Sequence, residues 1–182
     1  MQACSFLCAS SESPEALTEI FRDAFTHTEG EQEGAVVSEL ARNMLQMTAP
    51  KELRVFVART NNQLVGCIFF SRLLYPNDAR TIWLLSPVAV VSGFQKQGIG
   101  SGLIQHGLQQ LKEEGSDAVF TYGDPNFYER IGFVCVSETF AQAPFKLSMP
   151  QGWLAIPLSS TQLSPMRGSS KCVEAISQAQ YW

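Results

Sequence analysis

Little of this sequence is charged, and the charge it has leans acidic. Lys and Arg number 13 against 17 Asp and Glu, a net charge of −4, and charged residues are 16% of the 182. Globular proteins average about 25%. No Lys/Arg cluster is present, so the basic face of a duplex-binding protein is missing and no nucleic-acid partner is expected. Cysteine is sparse and scattered: Cys4, Cys8, Cys67, Cys135 and Cys172. An odd count, wide spacing and no C-x-x-C pair argue against a disulfide framework or a zinc centre. The cysteines read as small buried hydrophobes in a reducing compartment, with no metal. No apolar run approaches the ~20 residues of a membrane helix. The stretch from Met1 to Leu7 lacks a basic flank and reads as a first strand, not a signal peptide. The expectation is a soluble cytoplasmic protein with no membrane contact.

What is present is globular. Hydrophobic residues are 45%, with ordinary counts of 13 Gly and 9 Pro, and 182 residues suit a single domain spanning 1–182. Residues 2–9 predict a short strand. Ser13-Pro14-Glu15 opens a helix, with Ser as N-cap and Pro at the first helical position. Leu17, Ile20, Phe21, Ala24 and Phe25 then form one apolar face. His27 to Gly34 reads as an acidic loop. A second helix carries Val37, Leu40, Ala41, Met44 and Leu45 and stops before Pro50.

Leu53 to Arg59 and Gln63 to Leu74 are strands joined by an Asn61-Asn62 turn, with a bulge expected at Gly66. After a Pro76-Asn77-Asp78 turn, Thr81 to Val91 is an apolar strand that Ser86-Pro87 should break. A helix starts at Gly98 and ends at Gly115. Ala118 to Tyr122 is a strand, Asn126 to Ile131 a brief helix, and Phe133 to Glu138 and Trp153 to Leu158 are strands. Residues 159–171 read as loop and 172–182 as an edge strand with a tail. The order is that of a mixed α/β domain.

The informative stretch runs from Pro87 to Leu103. A strand enters a glycine-rich turn, and the turn opens a helix. Amides at a helix start lack internal partners and lie at the positive end of the dipole, where they can hold an anion such as a diphosphate. Gly98, Gly100 and Gly102 would let phosphate approach the backbone, and Lys96 adds charge. The dinucleotide fingerprint does not fit, because the spacing is G-x-G-x-G and Asp117 precedes the next strand instead of ending one. A P-loop fits poorly as well, because GK[ST] after its second Gly is absent.

Gln95-Lys96-Gln97-Gly98-Ile99-Gly100 resembles the Q/R-x-x-G-x-G/A signature of the GNAT N-acetyltransferase superfamily. Tyr128-Glu129-Arg130-Ile131-Gly132-Phe133 is similar to that family's Y-x-x-x-G-F segment. Pro87-Val88-Ala89-Val90 and Gly123-Asp124-Pro125-Asn126-Phe127-Tyr128 resemble a bacterial subgroup, the YhbS-like proteins. The resemblance spans roughly residues 14–158. It implies the GNAT fold, a mixed, mostly antiparallel sheet flanked by helices. It also implies acetyl-CoA as cosubstrate, its diphosphate on Gln95, Lys96, Gln97, Gly98, Ile99, Gly100 and Ser101, and its pantetheine arm along Val88, Ala89 and Val90.

The activity implied is direct transfer of an acetyl group to a primary amine of a small molecule or peptide. The resemblance gives Tyr128 the protonation of the leaving thiolate, and a backbone N–H near Val90 is the candidate to polarise the thioester. Many family members place Asn seven residues before this tyrosine, where this chain has Thr121. Many also place Glu in the strand before the turn, where residues 81–86 have no carboxylate. Water, Asp124 and His27 remain as candidate bases, and His27 also suits a helix end.

Residues 12–34 hold Glu12, Glu15, Glu19, Asp23, Glu29, Glu31 and Glu33 against Arg22 alone. In the family the loop between the first two helices borders the acceptor site. Glu29, Glu31 and Glu33 are therefore candidates to attract a cationic amine, the alternative being a solvated acidic loop. Trp83 and Phe69-Phe70 would line an acceptor pocket or pack in the core. Family members often dimerise, and Tyr181-Trp182 is a candidate contact. A second reading, a non-catalytic acetyl-CoA sensor, stays open. A nucleotide-binding protein is the third.

Overall fold

The computed structural model describes residues 4–160 and 162–182. In chain order it contains β1 (Cys4–Cys8), α1 (Pro14–Glu29), α2 (Glu31–Met47), β2 (Leu53–Thr60), β3 (Gln63–Leu73) and β4 (Ile82–Val90). These are followed by α3 (Ile99–Glu113), β5 (Ala118–Tyr122), α4 (Pro125–Tyr128), β6 (Val134–Cys135) and β7 (Trp153–Pro157). The strands form one sheet in the order β1-β2-β3-β4-β5-β7-β6. β4 and β5 are parallel, whereas β1–β2, β5–β7 and β6–β7 are antiparallel. This is a mixed α/β fold with a mostly antiparallel sheet. Residues group into two compact units. One holds the described residues up to Phe70 together with Pro87–Gly107, and the other holds Ser71–Ser86 and Leu108–Trp182.

In the first unit, neighbouring residues of β3 point to opposite faces, as a pleated strand requires. Phe69 meets Phe21 of α1 edge-on at 5.2 Å, and Phe70 meets Phe56 of β2 at 5.9 Å. The Phe70 face carries α3: a Cβ on Gly107 would lie 2.5 Å from the Phe70 ring, and one on Gly102 would lie 2.7 Å from Phe6. Helices thus cover both faces. Gly66 gives close packing, since a Cβ there would lie 3.3 Å from both Ala58 Cβ and Ala89 O.

Ser13 caps α1 by accepting from the Ala16 amide at 3.2 Å. The expected acidic loop does not form. Gly30 alone, at φ 100, joins α1 to α2, so residues 27–29 and 31–34 are helical. Glu and Gln are good helix formers, and Glu31 and Glu33 occupy the first turn of α2, where the dipole favours carboxylates. The two helices approach through Gly34 and through the buried Ser38, whose hydroxyl donates to Thr18 O at 3.1 Å. The Asn61-Asn62 turn has φ 48 and 62, the left-handed pair a tight hairpin needs.

In the second unit, β5 pairs with Ile82–Leu85 of β4 and with β7. β4 does not break at Ser86-Pro87 but runs on to Val90, while its pairing with β5 covers the residues before that dipeptide. A proline without N–H is tolerated where no ladder bond is asked of it. The strand expected over Phe133 to Glu138 is only Val134–Cys135. The C-terminal segment is not an edge strand. It forms 3-10 turns at Glu174–Ile176 and Ala179–Tyr181 after a single bridge from Lys171 to Leu74. Aromatic burial explains it. Trp182 is 5% exposed, meets Trp153 at 6.0 Å and donates its indole N–H to Ile176 O. That contact removes Trp182 as a surface for a second copy. Of the cysteines only Cys67 is buried, and Cys8 and Cys135 are exposed. Among the described residues no helix is long and apolar enough to cross a membrane.

Candidate functional site

The first unit carries the turn between β4 and α3. β4 delivers Val88, Ala89 and Val90, with Ala89 buried and the two valines half-buried. The Val91 amide donates to Val65 O on β3 at 2.9 Å. A 3-10 turn, Ser92–Phe94, follows. Gln95 then folds back, and its side-chain amide donates to Val90 O at 3.0 Å. Gln97 does the same to Gly93 O at 3.3 Å. Both glutamines, which the sequence offers as diphosphate ligands, thus spend their amides on the turn's own carbonyls.

Beyond Gln95 the pattern changes. The Gln95 amide donates to Ser92 O at 3.4 Å, and the next backbone-partnered amide is that of Gly102, on Gly98 O at 2.9 Å. Among the described residues the amides of Lys96, Gln97, Gly98, Ile99, Gly100 and Ser101 have no acceptor. Lys96 and Gly98 take φ 60 and 80. A lysine in the left-handed region is strained by about 1–2 kcal/mol, and such strain gathers at binding sites. Lys96, Gln97 and Gly98 are exposed, while Ile99 is buried and anchors the helix start together with Leu103 and Ile104. Gly98 would have open space around a Cβ. Gly102 is different. It is closed off by Phe6, so it serves packing and not phosphate approach. A run of free amides at the positive end of a 15-residue helix is a cradle for an anion.

One participant escaped sequence reading. Asp23 on α1 accepts the Ser92 amide at 2.7 Å and faces the Ser92 hydroxyl at 3.4 Å. No local pattern links residues 69 positions apart. The only signal was an acid on the polar side of an amphipathic helix. The rest of the acidic stretch is divided in its tasks. Glu12 is held by Arg59 at 2.8 Å. Glu29 and Glu31 are exposed, Glu33 is half-buried, and His27 is exposed in the last turn of α1. Phe69 and Phe70 are fully buried core residues.

The second unit carries the Tyr128 segment. Asp124 caps α4 by accepting the Asn126 amide at 3.0 Å, which engages one candidate base. Tyr128 is half-buried, and its ring lies on Gly123, where a Cβ would come within 2.7 Å. Phe127 and Phe133 stand edge-on to it at 5.0 and 5.6 Å. Gly132 closes the segment at φ 108, and Phe133 is buried behind it. Burial pushes the Tyr128 phenol above the usual tyrosine range, Thr121 pulls it down, and the Asp124 charge pushes it further up. Thr121 is itself buried and donates to Leu85 O at 3.0 Å. Trp83 is core, donating to Ser116 Oγ at 2.9 Å. A cavity of about 650 Å³ in this unit is lined by residues such as Val134, Phe140, Ile156 and Leu163 and by none of the sequence-predicted site residues.

The structure therefore gathers Val88 to Ser101 around one turn, and Thr121, Asp124 and Tyr128 around another. Among the described residues no group of three or more His, Cys, Asp or Glu is placed to hold a metal.

Comparison with known proteins agrees with this picture. The Acetyltransferase (GNAT) domain family matches residues 51–135, a range that includes both turns. The uncharacterized N-acetyltransferase YjhQ of Escherichia coli is 25% identical over 142 residues, 75% of this chain and 78% of YjhQ. The uncharacterized N-acetyltransferase YhbS of the same organism is 35% identical over 71 residues, 39% of this chain and 42% of YhbS. The crystal structure of E. coli YhbS, solved with CoA, shares the fold at a TM-score of 0.80 and 20% identity, covering 98% of this chain and 94% of that one. A GNAT acetyltransferase from Brucella melitensis, solved with acetyl-CoA, follows at a TM-score of 0.67 and 22% identity, covering 96% and 99%.

Proposed function

We propose that this chain, whose residues 51–135 match the Acetyltransferase (GNAT) domain family, is a GNAT N-acetyltransferase that moves the acetyl group of acetyl-CoA directly onto a primary amine of a small molecule or peptide, residues 1–182 acting as one domain. The observation that carries the reading is the run of unpartnered amides from Lys96 to Ser101 at the start of α3. CoA ends in a nucleotide diphosphate, and such a cradle suits that group. CoA- and acetyl-CoA-bound neighbours of the same fold support the choice of anion.

In this reading the diphosphate rests on the amides of residues 96–101, with Lys96 adding charge. The pantetheine arm lies along Val88, Ala89 and Val90. The amine nitrogen attacks the thioester carbonyl, a C–N bond forms, the C–S bond breaks, and the sulfur leaves as thiolate. The Tyr128 phenol gives its proton to that sulfur and regains one through water from the amine. Its raised pKa keeps the phenol protonated at neutral pH. A thiol titrates near 8.5, so a protonated phenol nearby stabilises the departing thiolate. Glu29, Glu31 and Glu33 supply a negative field for a cationic acceptor.

The test is release of free CoA thiol from acetyl-CoA across a panel of small primary amines and lysine-containing peptides. At least one amine should support release. Tyr128→Phe should lower kcat by about 100-fold and leave CoA affinity as it was. Because the phenol's pKa is raised, the wild-type rate should not fall through loss of that proton below about pH 10. A limb near pH 8–9 that disappears in Tyr128→Phe would contradict the assignment. Tight CoA binding with no amine accepted would favour a non-catalytic acetyl-CoA sensor.

A further inference from the structure

The turn that begins at Ser92 is held from outside its own sequence. Asp23 Oδ2 accepts the Ser92 N–H at 2.7 Å, and Oδ1 faces the Ser92 hydroxyl at 3.4 Å. Ser92 opens the 3-10 turn Ser92–Phe94, so the carboxylate sits where the turn's first amide needs an acceptor. Phe94 N–H then donates to Val91 O at 2.8 Å. The Gln95 and Gln97 side chains take up Val90 O and Gly93 O. Together with the Gln95 N–H on Ser92 O, these bonds occupy the carbonyls of residues 90–93, and a continuous run of free amides begins at Lys96. Gln95 and Gln97 belong to the turn, whereas Asp23 reaches it from α1.

The sign of the charge is informative. A carboxylate near a cradle for a diphosphate opposes the ligand by simple Coulomb repulsion. The position therefore does not exist for its charge. What it supplies is a fixed acceptor for one amide. We propose that Asp23 is a positioning residue for the cofactor turn: it locks Ser92 and thereby presets the Lys96–Ser101 amides for a diphosphate. This rests on the reading that those amides hold the diphosphate of CoA.

The two ideas can be separated by binding alone, with no acceptor amine. Dissociation constants for CoA and for pantetheine, which lacks the diphosphate and nucleotide, would be measured by calorimetry and competition. The proteins are wild type, Asp23→Ala, Asp23→Asn and Ser92→Pro, with melting temperatures taken alongside. Wild type should prefer CoA. Asp23→Ala should weaken CoA about tenfold and leave pantetheine unmoved, the loss expected for one hydrogen bond to a charged group. Asp23→Asn should recover most of the affinity, because its amide oxygen still accepts from Ser92. Ser92→Pro deletes the donor at a position where proline suits a helical turn. It should match Asp23→Ala, and the double variant should lose no more than either single. Equal weakening of both ligands in Asp23→Ala, weakening of neither, or an Asn variant as poor as the Ala variant would overturn the inference and leave the cofactor reading standing. A wild type that binds CoA no better than pantetheine would remove the diphosphate reading itself, and the inference with it.

Discussion

Lys96 should oppose stability while serving binding, and the two effects can be measured on one variant. Its φ of 60 places an L-residue in the left-handed region, which costs about 1–2 kcal/mol. Lys96→Gly removes that strain. Glycine also adds about 0.5–1 kcal/mol of backbone entropy to be lost on folding. The net is a gain of about 0.5–1 kcal/mol. For a chain of this size about 2–4 °C accompanies each kcal/mol, so Tm should rise by roughly 1–4 °C. The same change deletes an exposed ammonium beside the proposed diphosphate. An exposed pair of this kind contributes about 0.5–1 kcal/mol, or a roughly two- to fivefold weaker Kd for CoA. Lys96→Asn is the control, since Asn tolerates the left-handed region and loses the charge alone. Differential scanning calorimetry and CoA titration at two salt concentrations supply the readouts. A Lys96→Gly protein that melts below wild type would refute the strain argument. A more stable protein with undiminished CoA affinity would refute the placement of the ligand.

Three further outcomes are expected. Gly34→Ala should destabilise by about 1–3 kcal/mol in urea unfolding despite alanine's better helix propensity. The new Cβ would meet Arg22 O and Thr26 N at 2.9 Å, and backbone cannot rotate away; a neutral result would mean that α1 and α2 do not touch there. Asp78 is held well below the usual carboxylate range, chiefly by hydrogen bonds from Arg80, with Arg167 N–H contributing. A lowered folded pKa stabilises above the unfolded value near 3.9, and that stability is lost as pH falls from there toward the depressed folded value, so Asp78→Asn should destabilise at pH 7 and flatten the acid limb of stability below about pH 4. The pair Glu31→Gln, Glu33→Gln should raise KM for a cationic amine about threefold, less at high salt, with KM for acetyl-CoA unmoved; an unchanged amine KM ends the acceptor-field reading.

Element order was legible from Ser13 to Tyr122 because local chemistry sets it. Ser13 caps a helix in any context, and Asn61-Asn62 accepts two left-handed residues where most sequences cannot. The failures have one cause, which is partners distant in sequence. Glu29 to Glu33 looked like loop because the acids are polar, but polarity does not oppose a helix, and Gly34 has its reason only in the backbone of α1. Residues 172–182 alternate weakly enough to suggest an edge strand. Their conformation is decided instead by the burial of Trp182 against Trp153, whose indole donates in turn to Ala141 O.

The candidate site divides along the same line. Gly98 and Lys96 announce themselves, one by residue type and the other by its place in a motif. Gln95 is legible as a motif residue, yet the side chain of the signature glutamine closes onto Val90 O and points the argument away from direct contact. Its task is to consume a carbonyl so that the following backbone can turn. The glycines of G-x-G-x-G divide likewise, Gly98 opening space and Gly102 filling none because Phe6 lies over it. A motif read as a set of ligands is thus, in good part, a set of devices that empty six amides of protein partners. In the proposed reading the side chains of Gln95 and Gln97 have structural duties, and an anion would meet the backbone amides that follow. Substitutions that keep a side-chain donor for Gly93 O, such as Gln97→Arg or Gln97→His, should therefore be tolerated better than any change that lets a protein acceptor reach the amides of Gly98 to Ser101.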